Sequence, residues 1–182
     1  MIKYLITDPK YYSHDLETFK QKLSQMSNYD FILYRDKANP NYRNFAKIFS
    51  DILVERGVTS FFIHRDPLLA KSLNAFGVHL SSDQQDQIKR SKDLDLFTIV
   101  SCHSIDEIEA CKNLGADAIT ISPIFISEKG GEPIGIEQLQ IIINKFKELK
   151  IFALGGVKSQ VEVDKLQKIN GVFGFASIRF FV

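Results

Sequence analysis

The chain has 182 residues, 45% hydrophobic and 12% aromatic, enough for one domain with a sizeable buried core. Its 23 basic and 22 acidic residues nearly cancel, and a net charge of +1 leaves no electrostatic footprint for nucleic acid. No apolar run approaches the ~20 residues of a membrane span, and Met1-Ile2-Lys3-Tyr4 has no signal-peptide layout, so a cytoplasmic protein is expected.

Short β-branched or aromatic runs alternate with longer helical patterns. Strands are predicted near Lys3–Thr7, Phe31–Arg35, Ser60–His64, Gly77–Leu80, Leu96–Val100, Ala118–Ser122, Ile151–Leu154 and Val172–Ala176. Most are continuous apolar runs, as expected for strands covered on both faces. Apolar stripes at helical spacing lie between them. Leu16, Phe19, Leu23 and Met26 form one, and Phe45, Ile48, Phe49, Ile52 and Leu53 another. Ile105, Ile108, Ala110 and Cys111 form a third, and Leu139, Ile142, Ile143 and Phe146 a fourth.

Eight such alternations, uninterrupted by a linker, predict one α/β domain over residues 1–182, a (β/α)8 barrel of the TIM type. An open doubly wound sheet is the competing architecture, although no Gly-rich dinucleotide fingerprint is present. The eighth strand ends near Ala176 and only Phe180-Phe181-Val182 follow Arg179, so the barrel is minimal and lacks an eighth helix. The apolar flank this exposes predicts a homodimer or another covering element. Cys102 and Cys111 have no CxxC or zinc-ligand spacing and read as buried thiols in a reducing compartment.

In such barrels the reactive groups stand at the C-terminal strand ends. Those positions hold Asp8, Arg35 to Lys37, His64 to Asp66, His79 with Ser81 to Asp83, and Ser101 to Ser104. Ser122 through Lys129, Gly155-Gly156, Ser177 and Arg179 complete the set. Arg35 and Lys37, two apart on a strand end, suit a diphosphate; a surface ion pair with Asp36 is the alternative. Gly155-Gly156 precedes a helical segment, where bare backbone N–H groups can approach a phosphate; Gly pairs also end strands for purely geometric reasons. The loop Ser127-Glu128-Lys129-Gly130-Gly131 could close over an anion or be an ordinary connection. His79 lies in an apolar strand and reads as a core histidine, while Ser101 or Ser104 could cap the helix after His103.

These pieces resemble the thiamine-phosphate synthase family almost end to end. Tyr4-Leu5-Ile6-Thr7-Asp8 looks like its opening strand, and Tyr34-Arg35-Asp36-Lys37 resembles its Arg-Glu-Lys motif. Gly77-Val78-His79-Leu80, Ser101-Cys102-His103-Ser104, Gly115-Ala116-Asp117, Ser122-Pro123-Ile124-Phe125 and Ala153-Leu154-Gly155-Gly156-Val157 match further segments in order. The resemblance implies a transferase of thiamine biosynthesis, joining an aminopyrimidine diphosphate to a thiazole phosphate with release of diphosphate. It implies that Arg35, Lys37 and Lys129, with Ser127, hold the diphosphate. Gly155, Gly156, Ser177 and Arg179 would then hold the thiazole phosphate, and Ser101 would face the pyrimidine.

Departures from the family bear on the metal. Where the family has Asn-Asp after the third strand, with Asp binding Mg2+, this chain has His64-Arg65; the second metal-binding Asp falls on Gln84. Asp66 and Asp83, one position away, are the candidate ligands if Mg2+ is used, and Arg65 is the alternative source of charge. Leu33 replaces a polar Gln. Two other readings remain: a thiazole tautomerase-like isomerase, whose catalytic His falls on Pro123, and a decayed barrel that binds phosphate esters.

Overall fold

The computed structural model describes residues 1–127 and 130–182. Eight strands form from the apolar runs: β1 Ile2–Ile6, β2 Phe31–Tyr34, β3 Phe61–His64, β4 Gly77–Leu80, β5 Phe97–Cys102, β6 Ala118–Ile121, β7 Lys150–Leu154 and β8 Gly174–Ser177. They pair in chain order as a closed parallel barrel, β8 returning to β1 through Ile2↔Gly174 to Leu5↔Ser177. Closure rules out the open doubly wound sheet.

Two strands reach further than their sequence suggests. Ser101 and Cys102 read as loop, yet they pair with Thr120 and Ile121 and extend β5. Ser177 likewise belongs to β8, opposite Leu5. The β5 extension carries Ser101 into the upper layer of the barrel, whereas Ser177, one residue past inward-facing Ala176, turns its hydroxyl to the Val157 carbonyl.

The helices follow in order. α1 Pro9–Tyr12 and α2 Leu16–Gln25 lie between β1 and β2, then come α3 Tyr42–Glu55, α4 Pro67–Ser72, α5 Gln87–Asp93, α6 Ile105–Asn113, α7 Gly135–Lys145 and α8 Gln160–Gln167. Their starts are written in short polar caps. Asp8 and Asp66, each followed by Pro, cap α1 and α4; Ser104 caps α6 by accepting from the Glu107 N–H at 3.2 Å. Ser159 and Glu162 make a capping box on α8.

Side chains alternate across each strand. Leu5, Ile32, Phe61, Ile63, Val100 and Phe175 point out and pack under the helices, while Tyr4, Ile6, Leu33, Phe62, Ile99, Phe152 and Ala176 fill the barrel. Glycines admit the large rings. A Cβ on Gly77 would stand 2.0 Å from the Phe97 carbonyl oxygen and 2.7 Å from the Phe62 ring; one on Gly174 would meet the Ile2 carbonyl at 2.5 Å and the Phe152 ring at 2.6 Å.

After β8 comes a single 3-10 turn, Arg179–Phe181. Phe180 and Phe181 fold back on Phe175, with ring centroids 4.9 and 6.1 Å away, and so cover part of the flank the sequence leaves open. Cys102 and Cys111 are free and fully buried, with their sulfurs 3.6 Å apart between β5 and α6. Among the described residues, no helix is long and apolar enough to cross a membrane.

Gly77→Ala is expected to destabilise the barrel by about 1–3 kcal/mol through overpacking against a backbone carbonyl that cannot swing away. Urea unfolding of the variant beside wild type measures it, and equal midpoints would show that the interior has slack.

Candidate active site

At the C-terminal end of the barrel the strand ends enclose a cavity of about 460 Å³, within the range of small-molecule sites. Strand alternation decides what reaches it. Ile6, His64, Ser101, Leu154 and Ala176 point inward and form its lower wall, while residues just past most of the strands form the rim; Arg65 and Asp66, after β3, are not among its lining residues.

One rim is cationic. Arg35 follows β2, and its backbone N–H donates to Thr7 Oγ1 at 2.9 Å, which ties it to the end of β1. Its guanidinium donates to Asp8 Oδ2 at 3.2 Å, with both side chains mostly buried. Asp36 is not its partner: that carboxylate is buried, and it meets His14 Nε2 at 2.8 Å. The surface pair that could have explained Arg35 and Lys37 therefore does not form. Lys37 also lines the cavity, and partial burial together with Arg35 and Arg65 pulls its pKa down, against an opposing pull from Asp83. An anion bound here would relieve that repulsion.

The opposite rim carries Gly155, Gly156, Ser177 and Arg179. Gly155 and Gly156 have φ of +93° and +75°, and a Cβ on either would strike the segment Pro123–Phe125 within 2.8 Å. That segment rides on the turn. Ile124 N donates to Leu154 O at 2.9 Å and Phe125 N to Gly155 O at 3.0 Å. The glycine pair is thus required by packing as well as being open to a ligand. Ser177 Oγ donates to Val157 O at 2.7 Å and accepts from Phe180 N at 3.1 Å, so its hydroxyl braces the rim.

Between the rims lie histidines and serines. His64 Nε2 is 3.3 Å from Ser81 Oγ, and burial first, then His79 and the cations, pull its pKa down to about 2. His79 sits one layer deeper with its Nε2 3.1 Å from Ser101 Oγ, its pKa held down to about 3 by burial and Arg35. Both rings are neutral at physiological pH. His103 is anchored to the neighbouring loop, with Nδ1 3.1 Å from the Ser122 carbonyl oxygen, and it lines the cavity beside Pro123.

The candidate metal ligands are engaged elsewhere. Asp66 Oδ1 accepts from Leu69 N at 2.9 Å as the cap of α4, and its Oδ2 accepts from Arg43 at 3.0 Å. Asp83 receives both terminal nitrogens of Arg65 at 3.0 Å, and that bond holds its carboxyl below the usual carboxylate range. Arg65 itself has φ +68°, and its carbonyl accepts from Gln84 Nε2 at 3.1 Å. Among the described residues, no group of three or more His, Cys, Asp or Glu is placed to hold a metal ion.

Ser127 lines the cavity, its Oγ donating to Gly130 O at 3.4 Å. Lys129 lies outside the described residues. The sequence reading missed Lys10 and Tyr11, which α1 brings to the cavity. The signal was present as Asp8-Pro9, a cap followed by the favoured first helical residue.

Comparison with known proteins now decides the family. Residues 3–179 match the thiamine monophosphate synthase family. The chain belongs to it. The family is one of thiamine-biosynthesis transferases. The chain is similar to a putative thiamine-phosphate synthase 2 of Aquifex aeolicus, 28% identical across 98% of this chain and 96% of that one. It is also similar to a thiamine-phosphate synthase of Pelotomaculum thermopropionicum, 30% identical over 70% of this chain but only 61% of the relative's length. In fold it resembles a thiamine phosphate pyrophosphorylase from Pyrococcus furiosus, with a TM-score of 0.77 over 97% of this chain and 85% of that one, at 23% identity.

The neutral histidines set a pH dependence. Their pKa values are depressed on folding, so below the unfolded value near 6.5 the unfolded chain binds more protons and stability falls as pH drops. Each should contribute a loss approaching about 1.4 kcal/mol per pH unit below roughly pH 6. Urea unfolding at pH 7 and pH 5 tests this, and a flat profile would mean that the rings charge in the folded state.

Proposed function

We propose that this chain joins an aminopyrimidine diphosphate to a thiazole phosphate and releases diphosphate. The observation that carries the reading is the pairing of two anion-suited rims across one cavity, Arg35 and Lys37 on one side and Gly155-Gly156 with Arg179 on the other. A two-substrate transfer with a phosphate at each outer end needs that spacing of charge, with room between the rims for two flat rings. Family membership supports the same chemistry.

In this reading the carbon–oxygen bond to diphosphate breaks with both electrons leaving on the diphosphate. The carbocation is stabilised by the electron-rich pyrimidine, and the thiazole nitrogen supplies the electron pair of the new carbon–nitrogen bond. The protein has little covalent work. Arg35 and Lys37 stabilise charge that grows on the leaving group, and the cavity aligns acceptor and donor. Ser127 and Lys129 complete the grip on the diphosphate. A Mg2+ ion would supply leaving-group charge in a synthase that holds one. Here the acidic pair is committed to a helix cap and an ion pair, and we assign that charge to Arg65 beside Lys37.

A cytoplasmic setting suits the two free, buried thiols. The flank beside β8, where Phe180 and Phe181 are half-buried, is where we place a homodimer contact.

One observation favours a second reading, proton transfer on a thiazole by a tautomerase-like isomerase. His103 stands against Ser122, next to Pro123, and is the histidine placed to act there.

Lys37→Ala is expected to lower thiamine phosphate formation by about 10²–10³-fold with unchanged thermal unfolding. Loss of thiazole isomerisation in His103→Gln, with no synthase activity in wild type, would instead select the second reading. Calorimetric titration with inorganic diphosphate should give binding in EDTA that Mg2+ improves by less than about tenfold and that Arg65→Gln weakens. Binding that appears only with Mg2+ would return Asp66 and Asp83 to the ligand set.

A further inference from the structure

Beneath the cavity, Tyr4, His79 and Ser101 form a line that looks at first like a nucleophile, its base and an orienting group. Ser101 Oγ is 3.1 Å from His79 Nε2, and His79 Nδ1 is 3.0 Å from Tyr4 Oη. Proton bookkeeping reverses the line. Tyr4 is fully buried among the rings of Phe31, Phe62 and Phe152, and burial raises its pKa, so the phenol keeps its proton.

Among the described residues, His79 Nδ1 is the one hydrogen-bond partner of that hydroxyl. The phenol proton therefore points at Nδ1, because the opposite arrangement would leave it without an acceptor in an apolar interior. A neutral imidazole carries one ring proton, and with Nδ1 accepting, that proton sits on Nε2 and is donated to Ser101. In a serine triad the third group accepts from the imidazole and the far nitrogen takes the serine proton. Here both directions are inverted, and the ring is too weak a base to reverse them. Thr120 Oγ1 donates a second, longer bond to Ser101 Oγ at 3.5 Å. With its lone pairs so engaged, the Ser101 hydroxyl has its own proton left for the cavity it lines.

We propose that Tyr4 and His79 are positioning residues that fix Ser101 as a hydrogen-bond donor, so that the cavity selects a ring presenting an acceptor nitrogen at that point. An aminopyrimidine ring nitrogen qualifies, whereas a ring with N–H there would set donor against donor and be rejected. The identity of the ring rests on the function proposed above; the direction of the hydrogen bonds does not.

Long-range proton–nitrogen NMR of histidine-labelled, ligand-free wild type reads the tautomer directly. The neutral Nε2–H form of His79 is expected across the neutral pH range, and an Nδ1–H or charged ring would overturn the proposal. Ser101→Ala should weaken binding of the free aminopyrimidine alcohol about tenfold and leave the affinity for inorganic diphosphate unchanged. Tyr4→Phe keeps the ring but removes the donor to Nδ1. The second tautomer should then appear, and KM for the aminopyrimidine substrate should rise more than kcat falls. His79→Gln, whose amide can still donate towards Ser101, should keep aminopyrimidine affinity within about threefold. An unchanged tautomer and affinity in Tyr4→Phe would exclude Tyr4 from the role. If diphosphate binds and turnover is absent, the synthase reading fails while the tautomer still decides this one.

Discussion

The rings of Phe62 and Phe152, each with its centroid 5.4 Å from that of Tyr4, plug the barrel with it directly below the cavity. That plug is the constraint on which the site depends. It closes the floor of the layer above, where burial depresses both histidines and makes each hydrogen bond matter more than it would in solvent. The plug in turn needs Gly77 and Gly174, since no side chain at either position leaves room for the rings. Two residues without chemistry therefore hold the dielectric environment of those that have it.

Above the plug the barrel converts strand order into charge order. Parallel closure brings the ends of β2 and β3 side by side, so Arg35 and Lys37 share one rim and Arg65, from a separate βα unit, is close enough to act on Lys37. Crowded cations cost stability unless each is compensated. Asp8 compensates Arg35 and Asp83 compensates Arg65, while Lys37 has its pKa lowered, by partial burial first and then by the two arginines. The Arg65 pair is exposed enough that its net worth is at most about 1 kcal/mol, so an incoming polyanion can displace Asp83 at little cost.

Much of this was legible in the sequence because a parallel barrel writes its strands as uninterrupted apolar runs. All eight were readable, and many of the polar residues that follow them line one cavity, although Arg65, Asp66 and Asp83 are not among its lining residues. The errors share a cause, which is competition between local and distant partners. Asp66 read as a metal ligand, but the Pro after it marks a helix cap, and the nearest N–H groups claimed the carboxylate. Ser101 read as loop because its pairing partner, Thr120, lies 19 residues away. The bond from Tyr4 to His79 spans 75 residues and has no local signature at all. Contacts set by register emerge only when the barrel closes.

The ion pairs also bear on how a diphosphate site can turn over. Arg35 and Arg65 are already oriented by Asp8 and Asp83, so the side-chain entropy of holding two long cations in place is settled when the chain folds. The same carboxylates oppose tight capture, since a bound diphosphate must take guanidinium donors away from them. In the proposed reaction diphosphate is also the leaving group and has to depart. A metal ion would bind it with hard, strongly favourable contacts, whereas arginines shared with carboxylates bind it against a standing competitor. If, as proposed, clasped arginines stand in for a metal, they would trade some stabilisation of the transition state for easier product release, and the positive φ of Arg65 fits a residue held in place by both its backbone and its side chain.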